Sequence, residues 1–176
     1  HIQYNGEVAS HKVQPITTAI LKGVLDRTME GVNMVNAPYL AKERDIEVKE
    51  SRSNEIHDYT CTIRVQVKTK AGGRDITGSV FGKGDPRIVK FDDYYFEAVF
   101  SKYMLIMNNM DVPGVIGNIG NVLGKNGINV AGFHLGRVAL KDKAMAVINV
   151  DTPPTNETLR ALRETPNILE VNSVIL

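Results

Sequence analysis

A chain of 176 residues has room for one ordinary domain or two small ones, and little for a dinucleotide-binding domain with its substrate domain. Its 43% hydrophobic and 23% charged content is that of a folded globular protein, and 21 basic against 20 acidic side chains leave no long-range field to gather nucleic acid or an anionic membrane. A single cysteine, Cys61, excludes an internal disulfide, and with neither an apolar run of transmembrane length nor a signal sequence a cytoplasmic setting is expected.

The chain opens at His1 without methionine and runs straight into a strand-like stretch over 1–8, which suggests a segment of a longer polypeptide. Pro15 followed by Ile16, Ala19, Ile20, Leu21, Val24 and Leu25 gives an apolar stripe at helical spacing with proline early in the helix. A short second helix is predicted over 37–44, with Leu40 and Ala41 inward, followed by an extended stretch over 47–50. Residues 59–70 alternate, with Cys61, Ile63, Val65 and Val67 on one face and Thr62, Arg64, Gln66 and Lys68 on the other, as in a half-buried strand. Ala71-Gly72-Gly73 supplies a turn, 76–81 a partner strand, and 88–91 with 94–99 a hairpin around Asp92-Asp93. Residues 1–100 thus read as one α+β domain.

From residue 101 the rhythm changes. A strand over 103–108 leads into a loop, Asn109-Met110-Asp111-Val112-Pro113. The methionines at 104, 107 and 110 are compatible with a helix, but Pro113 and the two asparagines argue for a strand. Val115, Ile116, Ile119, Val122 and Leu123 then mark a helix with Asn118, Asn121 and Lys125 on its polar side, ended by Gly127 as a left-handed cap. Strands over 128–138 and 144–151 flank a hairpin turn at 139–143, a helix anchored by Leu159 and Leu162 starts near Thr155, and 168–176 is extended. The order β-α-β-β-α-β predicts a ferredoxin-like domain over 101–176, with two helices on one face of a four-stranded antiparallel sheet.

The loop before the first of these helices carries a binding chemistry. Pro113 and Gly114 open the helix, whose unpaired N–H groups and positive dipole end favour a carboxylate, while Asp111 adds an acidic acceptor for an ammonium group. Asn109 and Asn129 bring amides that both donate and accept. Such a set suits a zwitterion, and L-serine or another small amino acid fits it. The plainer alternative is that Asp111 caps the helix and Asn129 sits in a turn. Gly114, Gly117, Gly120 and Gly124 lack phosphate-loop spacing and are read as permitting close helix–sheet packing. Lys42, Arg44, Arg64 and Arg87 form a possible anion site, with a solvated charged face as the alternative. His11, His57 and His134 show no ligand spacing for zinc and no nucleophile–base pairing, so no catalytic residue and no metal are expected.

The run 109–117, with Gly127-Ile128-Asn129 beyond its helix, resembles an ACT domain, the ligand-binding module of amino-acid metabolism. Upstream, Val35-Asn36-Ala37-Pro38 with Tyr39-Leu40-Ala41-Lys42-Glu43-Arg44, and Gly78-Ser79-Val80-Phe81-Gly82 with Pro86-Arg87-Ile88-Val89, resemble the intervening domain of long-form bacterial 3-phosphoglycerate dehydrogenases. The resemblance spans essentially the whole chain and implies the C-terminal regulatory region of that family. It further implies serine as effector on Asn109, Asp111 and Asn129, the first two from one subunit and the third from its neighbour. Asn109 departs from the histidine or tyrosine found in relatives. Association into homo-oligomers through the ACT domain is implied too, as are an NAD cofactor belonging to the parent enzyme and none in this segment. The alternatives are a purely structural oligomerisation domain, or a relative of the small domain of iron–sulfur L-serine dehydratase. The second lacks its serine-rich motif and cluster cysteines here.

Overall fold

The computed structural model describes residues 1–56, 58–70, 72–138 and 142–176, so His57, Ala71 of the expected turn, and 139–141 of the expected hairpin lie outside the described residues. The chain divides into two compact units, His1–Ser79 and Val80–Leu176. The division falls inside a strand, β4.

In the first unit, β1 (Ile2–Gly6) leads through a 3₁₀ turn (Glu7–Ser10) into α1 (Gln14–Asp26) and α2 (Ala37–Glu43), followed by β2 (Glu50–Ser53), β3 (Cys61–Thr69) and β4 (Gly72–Phe81). β1 lies parallel to β2, with Ile2 opposite Glu50, and antiparallel to β3, with Ile2 opposite Val65. The expected extended stretch at 47–50 is therefore shifted to 50–53, where it finds β1. The expected strand over 1–8 ends at Gly6, whose φ is 74° and where a Cβ would stand 2.1 Å from the Thr60 carbonyl oxygen. Only glycine fits that approach.

Pro15 sits in the first turn of α1 as predicted, but the buried stripe differs: Thr17 and Thr18 are buried whereas Ala19 and Val24 are exposed. The reason is hydrogen bonding. The buried Tyr4 hydroxyl lies 2.8 Å from Thr17 Oγ1, and Thr17 in turn reaches Glu50. Thr18 donates to the Gln14 carbonyl at 3.0 Å. Both hydroxyls enter the interior satisfied. Ile2, Tyr4, Ala9 and Val13 form one core cluster, and Leu21, Leu25, Val32, Ala37 and Ala41 another where α1 meets α2.

The second unit begins with the hairpin of β5 (Asp85–Phe91) and β6 (Tyr94–Val99), turned at Asp92 with φ 50°. Then follow β7 (Tyr103–Met110), α3 (Val115–Lys125), β8 (Val130–Arg137), β9 (Lys143–Val150), α4 (Asn156–Arg163) and β10 (Ile168–Ile175). The four strands lie in the order β10-β7-β9-β8, every neighbour antiparallel, which is the ferredoxin-like plan. The methionine-bearing 103–110 is a strand, as expected. It runs to Met110, so Asn109 belongs to the strand and not to the loop.

Leu105, Met107, Ala146, Ile148, Val150 and Val171 on the sheet pack with Val115, Ile119, Leu123 and Leu162 of the helices. Ile116, expected inward, is 51% exposed. The opposite face of the sheet is covered as well. Asn149 of β9 donates to the Val99 carbonyl at 3.0 Å, and a Cβ on Gly136 of β8 would come within 2.7 Å of the Phe96 ring. The β5–β6 hairpin therefore lies on β8 and β9, which explains why every residue from Ala144 to Val150 is buried. A strand buried on both faces needs no alternation.

Candidate effector site

β7 and β8 are both antiparallel to β9, which lies between them, so they run in the same direction and finish at the same end of the sheet. Met110 stands opposite Lys143 and Arg137 opposite Ala144, which brings the loop after β7 beside the end of β8. There Arg137 Nη2 donates to Asp111 Oδ1 at 2.8 Å. The Asp111 carboxylate is mostly covered, with 24% of its side chain exposed, while Arg137 reaches over it from solvent at 67%. The Asp111 backbone is fixed by its N–H bond to the Asp142 carbonyl at 2.8 Å.

Beneath this pair lies a cavity of about 210 Å³ lined by Asn109, Asp111, Pro113, Gly114, Leu135 and Arg137, with Val112, Val115 and Ile116 at its sides. Asn109 is 3% exposed. Its amide Nδ2 donates to the Met110 carbonyl at 2.7 Å, which fixes the orientation of the group and leaves the buried Oδ1 without a partner among the described residues. A buried acceptor in that state costs about 1–3 kcal/mol until a donor reaches it.

The start of α3 forms the other wall. Gly114 takes the N-cap position in a left-handed conformation, φ 91°, and no side chain caps the helix. By contrast, α4 is capped by Thr155, whose hydroxyl accepts from the Thr158 N–H at 3.2 Å. The first-turn N–H groups of α3 thus remain available to an anion. Asp111 does not cap the helix; its partner is Arg137.

Asn109, Asp111, Pro113 and Gly114 are therefore gathered at one cavity. Asn129 is not. Its side chain donates to Asp151 Oδ2 at 2.7 Å at the opposite end of β8, and the eight-residue strand between it and Arg137 puts it roughly 25 Å away within the chain. The helix glycines also differ from expectation. A Cβ on Gly117, Gly120 or Gly124 would meet nothing within 4 Å, so none is required for packing inside the chain; they face outward.

Of the four candidate cations of the upstream region, Arg64 and Arg87 already pair with carboxylates. Lys42 lines a cavity with Asp45 and Glu47, Arg64 pairs with Asp75, and Arg87 donates to Asp85 at 2.7 Å and Glu97 at 3.3 Å. An incoming anion would have to displace the carboxylates held by Arg64 and Arg87. Among the described residues no three of His, Cys, Asp and Glu are grouped as metal ligands, and no helix is long and apolar enough to cross a membrane.

Arg137 and Leu135 were missed from the sequence. Each is distant along the chain from Asp111 and joins it only through the strand order, so the available signal was the topology itself: in β-α-β-β-α-β, the first two strands finish at the same end of the sheet, on either side of the third.

The second unit thus contains a ferredoxin-like module with a polar cavity at the start of its first helix. The ACT domain family matches residues 103–167, and the family described as the D-3-phosphoglycerate dehydrogenase intervening domain matches residues 1–92. The chain is similar to D-3-phosphoglycerate dehydrogenases from Synechocystis sp., 31% identical over 173 residues; from Methanocaldococcus jannaschii, 32% over 169; and from Bacillus subtilis, 30% over 176. These matches cover 97%, 96% and 99% of this chain but 31%, 32% and 34% of the respective relatives, so the chain spans about a third of their length. The chain belongs to the D-3-phosphoglycerate dehydrogenase family and comprises its intervening and ACT regulatory domains. Domains of the ACT type bind amino acids and mediate oligomerisation in these enzymes.

Proposed function

We propose that the cavity under Asp111 and Arg137 is the effector site of this chain and takes L-serine or another small α-amino acid. The observation that carries the reading is convergence. Asn109, whose buried Oδ1 has no partner among the described residues, a carboxylate, Asp111, and an uncapped helix start at Gly114 line one small cavity. The first two suit an ammonium group and the third a carboxylate. In a parent of the relatives' length, such binding regulates an NAD-dependent dehydrogenase acting on 3-phosphoglycerate in serine biosynthesis, with the cofactor held outside these two domains and the whole enzyme cytoplasmic.

The site is completed by a second copy. β8 is an edge strand of the sheet, and α3 presents Gly117, Gly120 and Gly124 outward. Antiparallel pairing of β8 with its symmetry mate would hide that edge and carry the partner's Asn129 to the cavity, which its own chain cannot do.

Calorimetric titration with L-serine tests the assignment. Asp111→Ala should weaken binding by about 1.5–3 kcal/mol, the scale of a hydrogen bond to a charged group. Equal affinity in wild type and variant would remove Asp111 from the site.

A further inference from the structure

We infer that Arg137 is the anchor for the ligand's carboxylate, and that the Asp111–Arg137 pair is the resting form of a charge-selective site that admits zwitterions over amines and carboxylic acids. The inference rests on the effector reading above and adds a residue and a selectivity to it.

Arg137 Nη2 meets Asp111 Oδ1 at 2.8 Å, and that contact uses one of the five N–H donors of the guanidinium. Arg137, at the end of β8, lines the same cavity as Gly114 and Val115 at the uncapped start of α3. Guanidinium and helix N–H groups together make a forked receptor for a carboxylate. On the other side, the Asp111 carboxylate supplies acceptors alone.

The two halves hold each other while the cavity is empty. A ligand that enters must separate Asp111 from Arg137 and leave neither unmatched, because a partly buried charge stripped of its partner is costly. A zwitterion satisfies both: its ammonium takes Asp111, and its carboxylate takes Arg137 and the helix start. An amine leaves Arg137 unmatched, and a carboxylic acid leaves Asp111 unmatched. Pro113, Leu135 and Ile116 leave the side chain of the ligand a small, largely apolar space.

The test is a calorimetric comparison of three probes, L-serine, L-serinamide and 3-hydroxypropionate, on wild type, Arg137→Gln and Arg137→Lys. L-serine should bind wild type best, lose about tenfold or more in Arg137→Gln, and regain part of that loss in Arg137→Lys, which restores the charge without the fork. L-serinamide, which in wild type must break the Asp111–Arg137 pair without offering Arg137 a carboxylate, should bind Arg137→Gln at least as well as wild type. That arm also shows that the variant is folded with its cavity intact. The inference is overturned if L-serine affinity is unchanged in Arg137→Gln, or if serine and serinamide weaken alike; in both cases the effector reading stands. Wild type that binds none of the probes overturns both.

Discussion

At His134 the β5–β6 hairpin meets the ferredoxin-like sheet, and burial, reinforced by the nearby Arg87 guanidinium, pushes the imidazole below its ordinary value of 6.5. The folded chain then resists a proton that the unfolded chain accepts. This contribution is fully present above about pH 6.5 and is lost as the pH falls toward the lowered native value. Urea unfolding at pH 7.5 and pH 5.5 should show His134→Gln losing less stability on acidification than wild type; an identical loss would remove His134 from the acid response. The same scale holds the site. Asp111, Arg137 and Asn109 are three side chains whose importance lies in what each lacks when the others are removed, so single substitutions there read out unmatched charge as much as lost contact.

Among the elements, α4 was legible from its own residues: Pro153-Pro154 stop the preceding strand, Thr155 caps, and Arg160 and Arg163 fill the last turn against the dipole. The start of α3 was legible through Pro113 and Gly114, and the four strands of the ferredoxin-like sheet appeared in the predicted order. What could not be read locally was long-range. Arg137 reaches Asp111 through strand order. Thr17 is buried because Tyr4 and Glu50 meet it, and the hairpin cover over β8 and β9 left only a faint sign in the unbroken apolar run 144–148.

The glycines of α3 carry a prediction at this scale. Gly120 lies within the helix, exposed, with nothing near its absent side chain, and glycine there costs about 1 kcal/mol relative to alanine. Gly120→Ala should therefore stabilise the dilute chain by about 0.5–1 kcal/mol in chemical unfolding. If a second copy packs on this face, Gly120→Leu should shift the sedimentation profile toward monomer without loss of helical signal. A leucine variant that associates as well as wild type would place the interface elsewhere.

The molecule as a whole comprises two compact units, is matched by two families, an intervening domain over residues 1–92 and an ACT domain over 103–167, and spans about a third of the length of the dehydrogenases it resembles. The regulatory account depends on one cavity in the second of these units. Its most direct test is an amide-resolved NMR titration of the chain with L-serine at millimolar concentration. The account predicts saturable shifts concentrated at residues 109–117 and 135–137, led by the first-turn amides Val115 and Ile116. Shifts centred elsewhere in the chain, or none at all, would contradict it.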